Sequence, residues 1–110
     1  MQNLLSGKAL NVFSKWIYKT HKIYLEDLLK MDLEDNQFLK TMIVDWLDSL
    51  DCLFIEISVQ CEDAENVTYD FELLDDTISR IDKNIGFDTR NDALEVAILK
   101  AVNHFNKFAP

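Results

Sequence analysis

Asp45, Asp48 and Asp51 recur at every third position of the stretch DWLDSLD. Carboxylates spaced this closely suit either of two tasks. They can ligate a hard cation, which needs oxygens converging at about 2.0–2.6 Å, or they can display a charged face to a partner or to water. A helical projection at about 100° per residue separates the two. Leu39, Met42, Ile43, Trp46 and Leu50 form an apolar face with Leu47 at its edge. Asp48 falls opposite the centre of that face, with Asp45 and Asp51 about 60° to either side. The three acids diverge over a solvent face, so a metal-dependent hydrolase built on them would need carboxylates from a second element. Glu62, Asp63 and Glu65 in EDAEN, and the pair Asp75-Asp76, add acids in segments that read as turns. These eight residues together are the candidate acidic interaction face.

Other chemistry finds little support. His21, Cys52, Cys61 and His104 are isolated, without the CxxC or HxxxH spacing of a zinc site. There is no GxSxG, and no Cys or Ser stands beside a base in a recognisable frame. Two glycines cannot supply a GxGxxG or a P-loop. Cys52 and Cys61 bracket one expected strand, whose length at about 3.3 Å per residue holds them beyond the ~7 Å reach of a disulfide. They are expected to be free thiols packed at strand ends. The reading is a non-enzymatic protein with no cofactor and no metal.

Net charge is −9 and uneven. Residues 1–22 carry Lys8, Lys15, Lys19 and Lys22 and no acid. Residues 23–76 carry sixteen acids against Lys30 and Lys40. Lysines on an otherwise acidic chain make a weak nucleic-acid footprint, so direct nucleic-acid binding is not expected. No apolar run reaches the ~18 residues of a membrane span. MQNLLSGKAL has no basic segment followed by an apolar one, so no signal peptide is read and the expected compartment is the cytoplasm.

These residues need elements to hold them. The length of 110 residues fits one domain. Ser6 is an N-cap for a helix over about 7–20, with Ala9, Leu10, Phe13, Trp16, Ile17 and Thr20 on one face. A short helix over 23–31 would bury Ile23, Tyr24, Leu28 and Met31. A third helix starts at Asp35 or Asn36 and runs to Leu50. The period then changes to two. Leu53, Ile55, Ile57 and Val59 face one way in the first strand, with Phe54, Glu56, Ser58 and Gln60 on the other side. In the second strand Val67, Tyr69, Phe71 and Leu73 face inward, while Thr68, Asp70 and Glu72 face water. Asp75-Asp76 marks a hairpin turn, TISRID (77–82) a third strand, and Asn84 to Gly86 a break. Thr89-Arg-Asn-Asp92 opens the last helix in capping-box fashion, and Leu94, Ala97, Ile98, Ala101, Val102, Phe105 and Phe108 line its apolar face. The predicted fold is α+β. N-terminal helices lead into a three-stranded antiparallel meander, and a C-terminal helix packs on one face of the sheet.

The segments LLSGKALNVFSKW (4–16), MIVDWLDSLDCLFIEIS (42–58) and GFDTRNDALEVAILKAVNHFNK (86–107) carry a resemblance. They look like a set of small uncharacterised proteins encoded by phages, prophages and mobile elements of gut Bacteroidetes. Thr89, Asp92, Ala93, Ala97, Ile98, Lys100 and Ala101 match that set's closing-helix pattern, with Asp92 in the usual Glu place. The resemblance implies an accessory factor that meets host proteins, and it carries over no catalytic residue.

Two classes of function follow. One is an interaction module whose contact surface is apolar, around Phe54 on the second face of the sheet or around exposed aromatics such as Tyr18. The other is an acidic mimic of nucleic acid that inhibits a host nucleic-acid enzyme. Either requires a protein partner. Self-association is a further expectation, through the basic first helix of one chain and the acidic middle of another.

Overall fold

Apolar residues three and four apart give each helix one face that water disfavours, and that face decides where the helix sits. The computed structural model describes residues 4–31 and 37–108. In chain order they form α1 (Gly7–His21), α2 (Leu25–Met31), α3 (Gln37–Ser49), β1 (Leu53–Cys61), β2 (Val67–Asp75), β3 (Arg80–Phe87) and α4 (Arg90–Phe108). The strands pair antiparallel in the order β1-β2-β3, and α4 lies across one face of the sheet. The fold is α+β, as the pattern predicts. The expected start of the third helix at Asp35 or Asn36 lies outside the described residues. No described helix is long and apolar enough to cross a membrane.

The core sits where α1 and α3 meet α4. Trp46 joins all three, its ring edge-on to Phe13 at 5.6 Å and to Phe105 at 5.1 Å. Ala93, Ala97 and Ala101 are fully buried on α4. Their small side chains let this helix approach its neighbours closely. Two residues expected on buried faces, Thr20 and Tyr24, are exposed, and the second follows a break in the helix. Lys22 adopts φ 59 and closes α1 with its N–H on the Tyr18 carbonyl. The helical phase therefore does not continue into α2. Tyr24, expected in the core, precedes α2 and is 56% exposed.

The N-terminus of α1 is held from the far end of the chain. Ser6 occupies the cap position, but its side chain makes no capping bond. Asn106 of α4 replaces it. Its Oδ1 accepts the Ala9 N–H at 2.7 Å, and its Nδ2 donates to the Ser6 carbonyl at 2.9 Å. Gly7, at φ 58, permits this approach, since a Cβ there would lie 3.2 Å from Asn106 Nδ2.

The third strand departs most from the expected pattern. The connection spans Asp76–Ser79, so the expected strand residues Thr77, Ile78 and Ser79 belong to the turn, and the strand runs from Arg80 through the expected break to Phe87. Asp75 holds the turn. Its Oδ1 accepts from the Thr77 N–H, the Thr77 hydroxyl and the Ser79 N–H at 2.7–3.0 Å. At the other end, Tyr69 pairs Phe87 and Phe71 pairs Asn84, so Asp70 alone opposes Ile85 and Gly86 in a bulge. Gly86 takes φ 84 and donates its N–H to Asp70 Oδ1 at 3.0 Å. That bond is why Asp70, expected to face water, is buried at 8% exposure.

Candidate functional site

The hairpin length divides the eight candidate acids. Leu53 pairs Asp75 at one end of the β1–β2 ladder, and Cys61 pairs Val67 at the other. Eight residue steps at about 3.3 Å separate the ends by roughly 26 Å. Asp75 and Asp76 sit at the end where α3 delivers Asp51, and both Asp76 and Asp51 act on Cys52 between them. Asp48 and Asp45 continue this group up the exposed side of α3. Glu62, Asp63 and Glu65 lie at the opposite end. The structure thus gathers five of the eight and sets three apart.

Two of the eight build turns. Asp63 Oδ1 accepts the Glu65 and Asn66 N–H groups at 2.9 and 3.0 Å, and both its oxygens receive the Asn66 side-chain amide. The Glu65 N–H bond is the first cause that holds its carboxyl below the usual value, followed by the Asn66 side chain. Asp75 is also lowered, first by the Thr77 hydroxyl and then by the N–H groups of Ser79 and Thr77. Asp48 moves the other way. Partial burial raises it, with repulsion from Asp45 adding to the effect. Neither Asp45, Asp48 nor Asp51 joins an ion pair among the described residues.

The five-acid end also holds an apolar groove of about 480 Å³. Leu50, Leu53, Phe105 and Phe108 form its walls, with Cys52, His104, Asp75 and Asp76 around them. Phe108 is 63% exposed at the end of α4. Ile78, on the turn that Asp75 holds, is 67% exposed at φ 62, a backbone that a β-branched residue rarely adopts. Asp51 also lies in the left-handed region, at φ 54, where it ends α3. Two large apolar side chains, Phe108 and Ile78, therefore stand in water at the end of the molecule that carries Asp75 and Asp76.

The thiols are free, as expected, but both are exposed instead of packed. Cys61 Sγ donates to the Asp63 carbonyl at 3.3 Å. Burial first, then Asp76 and Asp51, raise the Cys52 thiol, which favours its protonated form at neutral pH. Among the described residues no group of three or more His, Cys, Asp or Glu is placed to hold a metal ion.

The other expected surfaces are less open. Phe54 is half-buried opposite the buried Leu74, and apart from the exposed Ile85 in the β3 bulge its neighbours on that face are polar. Glu72 there pairs with Arg80 and Lys83. Tyr18 and Tyr24 are exposed and stack at 4.8 Å, with the Lys22 ammonium over the Tyr18 ring.

One charge escaped the sequence reading. Lys40 is 1% exposed between α3 and α4, and its Nζ donates to Asn91 Oδ1 at 2.9 Å and Glu95 Oε2 at 3.1 Å. Lys40 shares the i, i+3, i+7 row with Ile43 and Leu47, both fully buried. That row was the available signal.

Family models, curated proteins and solved structures yield no match to this chain.

Proposed function

We propose that this protein is a non-enzymatic interaction module that binds a basic, amphipathic segment of a partner protein at its five-acid end. The observation carrying this reading is the apolar groove between Leu50, Phe105 and Phe108, lined also by Asp75 and Asp76, with Asp51 close enough to act on the lining Cys52. An apolar anchor would displace water from Phe108 and the groove walls. Lys or Arg beside it would meet the carboxylates, which guide encounter and select the partner's sign. A small accessory protein of phage type, acting on host proteins in the cytoplasm, fits this role. Mimicry of a phosphate array receives less support, because three of the eight acids stand at the far end of the hairpin and Asp63 and Asp75 are engaged in turns.

Affinity capture from bacterial lysate, with bound proteins identified by mass spectrometry, tests the reading. The bait is compared with Asp51→Asn/Asp76→Asn and with Phe108→Ser. Asn tolerates the left-handed backbone at position 51. The expected result is a partner that both variants lose, with binding that weakens as salt rises. A set of bound proteins unchanged by either variant would overturn it.

A further inference from the structure

The two edges of the sheet are built differently. β3 carries two register irregularities, a glycine at φ 84, and Arg80 and Lys83. These are devices that keep a sheet edge from pairing with another chain. β1, the other edge, pairs β2 in unbroken register over all nine residues. Its sequence LFIEISVQC has no Pro, Gly, Lys or Arg, and Glu56 is its single charge. Burial also falls along it. Leu53 is 3% exposed, Ile55 and Ile57 are half-buried, and Val59 is 57% exposed, although all four share the face that α4 covers. The helical layer protects the Leu53 end and leaves the Val59 end bare.

We propose that β1 pairs antiparallel with β1 of a second copy about a two-fold axis at Ile57, making one six-stranded sheet. The occupant follows from the strand's own sequence. In this register Ile57 meets Ile57, Ile55 meets Val59, and Leu53 meets Cys61, so the apolar face continues across the junction. On the other face Glu56 meets Ser58 and Phe54 meets Gln60. All nine residues of each strand pair, and no like charges oppose one another. A register centred at Glu56 would set that carboxylate against its copy. The two-fold also brings the covered Leu53 end of one chain beside the bare Val59 end of the other. Two-fold pairing of this kind closes, so it stops at the dimer. The interface shares Leu53 with the groove, but its centre at Ile57 and the tested positions 58 and 59 lie outside the groove lining, so it stands or falls apart from the proposed function.

Long-range charge gives the pairing an unusual signature. Each chain carries −9, so the copies repel, and salt screens that repulsion. Dimerisation should strengthen with salt, opposite to contact between the basic α1 of one chain and the acidic middle of another. Sedimentation equilibrium of the full chain at about 50 and 500 mM salt reads this directly. The expected result is a monomer–dimer equilibrium with a Kd several-fold lower at the higher salt. Val59→Lys, at an exposed position, should weaken the dimer by about tenfold or more. Ser58→Glu should weaken it and Ser58→Lys should tighten it, because residue 58 faces Glu56 of the other copy. Circular dichroism and thermal melts confirm that each variant folds. A chain that stays monomeric to about 500 μM at both salts would overturn the proposal, since such an interface would be weaker than millimolar-range encounter. A dimer weakened by salt, or one indifferent to Val59→Lys and to the sign of charge at 58, would overturn it as well.

Discussion

Lys40 and Asp48 each place one charge on α3, about two turns apart, and the fold treats them oppositely. The Lys40 ammonium is sealed between two helices with two partners at hydrogen-bond distance. Asp48 lies on the exposed side of the helix, and partial burial, with repulsion from Asp45, raises its carboxyl. One side of the helix uses charge to set how α3 meets α4. The other accumulates charge of one sign at a small cost to the folded state. Charge that serves the fold is paired, whereas charge left unpaired is open to a partner.

The contrast breaks most severely at the apolar seam. Trp46→Ala removes the ring that joins α1, α3 and α4, and urea unfolding should show a loss of about 3–5 kcal/mol. Next comes the buried charge. Glu95→Ala should cost about 2 kcal/mol, less than the ~3–5 of a fully enclosed pair, because Asn91 still accepts from Lys40. Lys40→Met removes the charge together with its need for partners, and should change stability by less than about 1 kcal/mol. If Lys40→Met proves as costly as Glu95→Ala, the pair contributes more than compensation for its own burial.

At the wet end the expected effects reverse sign. Ile78→Gly relieves a left-handed backbone at an exposed position and should raise stability by about 1 kcal/mol, read as a shift in urea midpoint. Asp48→Asn removes a partly buried charge, and with it the repulsion from Asp45, and should raise stability by less than about 0.5 kcal/mol.

Acid titration sharpens the comparison among residues of one type. Asp63 and Asp75 have folded-state values below the unfolded 3.8. Their contribution is present above that value and is lost as pH falls through their lowered folded values. Asp48 has a raised value, so its ionised form weakens the fold, and protonation relieves that as pH falls through the raised value. Stability followed from pH 7 downward should therefore drop less steeply in Asp75→Asn than in the wild type. Asp48→Asn should lose the compensating gain. Parallel curves for all three proteins would mean that neither Asp75 nor Asp48 distinguishes the folded state.

Much of this was legible along the chain. The change of period from 3.6 to two at Leu53 separated helix from strand, because backbone geometry alone sets both periods. The outward position of Asp45, Asp48 and Asp51 followed from the same arithmetic. The limits of β3 did not. Its start rests on a local turn, since Asp75 bonds N–H groups only two and four residues on, but its far end rests on Asp70 accepting from Gly86 sixteen residues away, which no local pattern reports. The groove was hidden for a related reason, since its walls come from residues 50–53, 75–76 and 104–108.

By itself the sequence determined the kinds of element, their order and the side each shows to water, since hydrophobic spacing is read within one element at a time. Only the tertiary structure decided which charge is buried, that Asn106 caps a helix begun a hundred residues earlier, and which five of eight acids share a surface. Those outcomes depend on distances between elements, and chain connectivity constrains such distances only weakly until the core has packed.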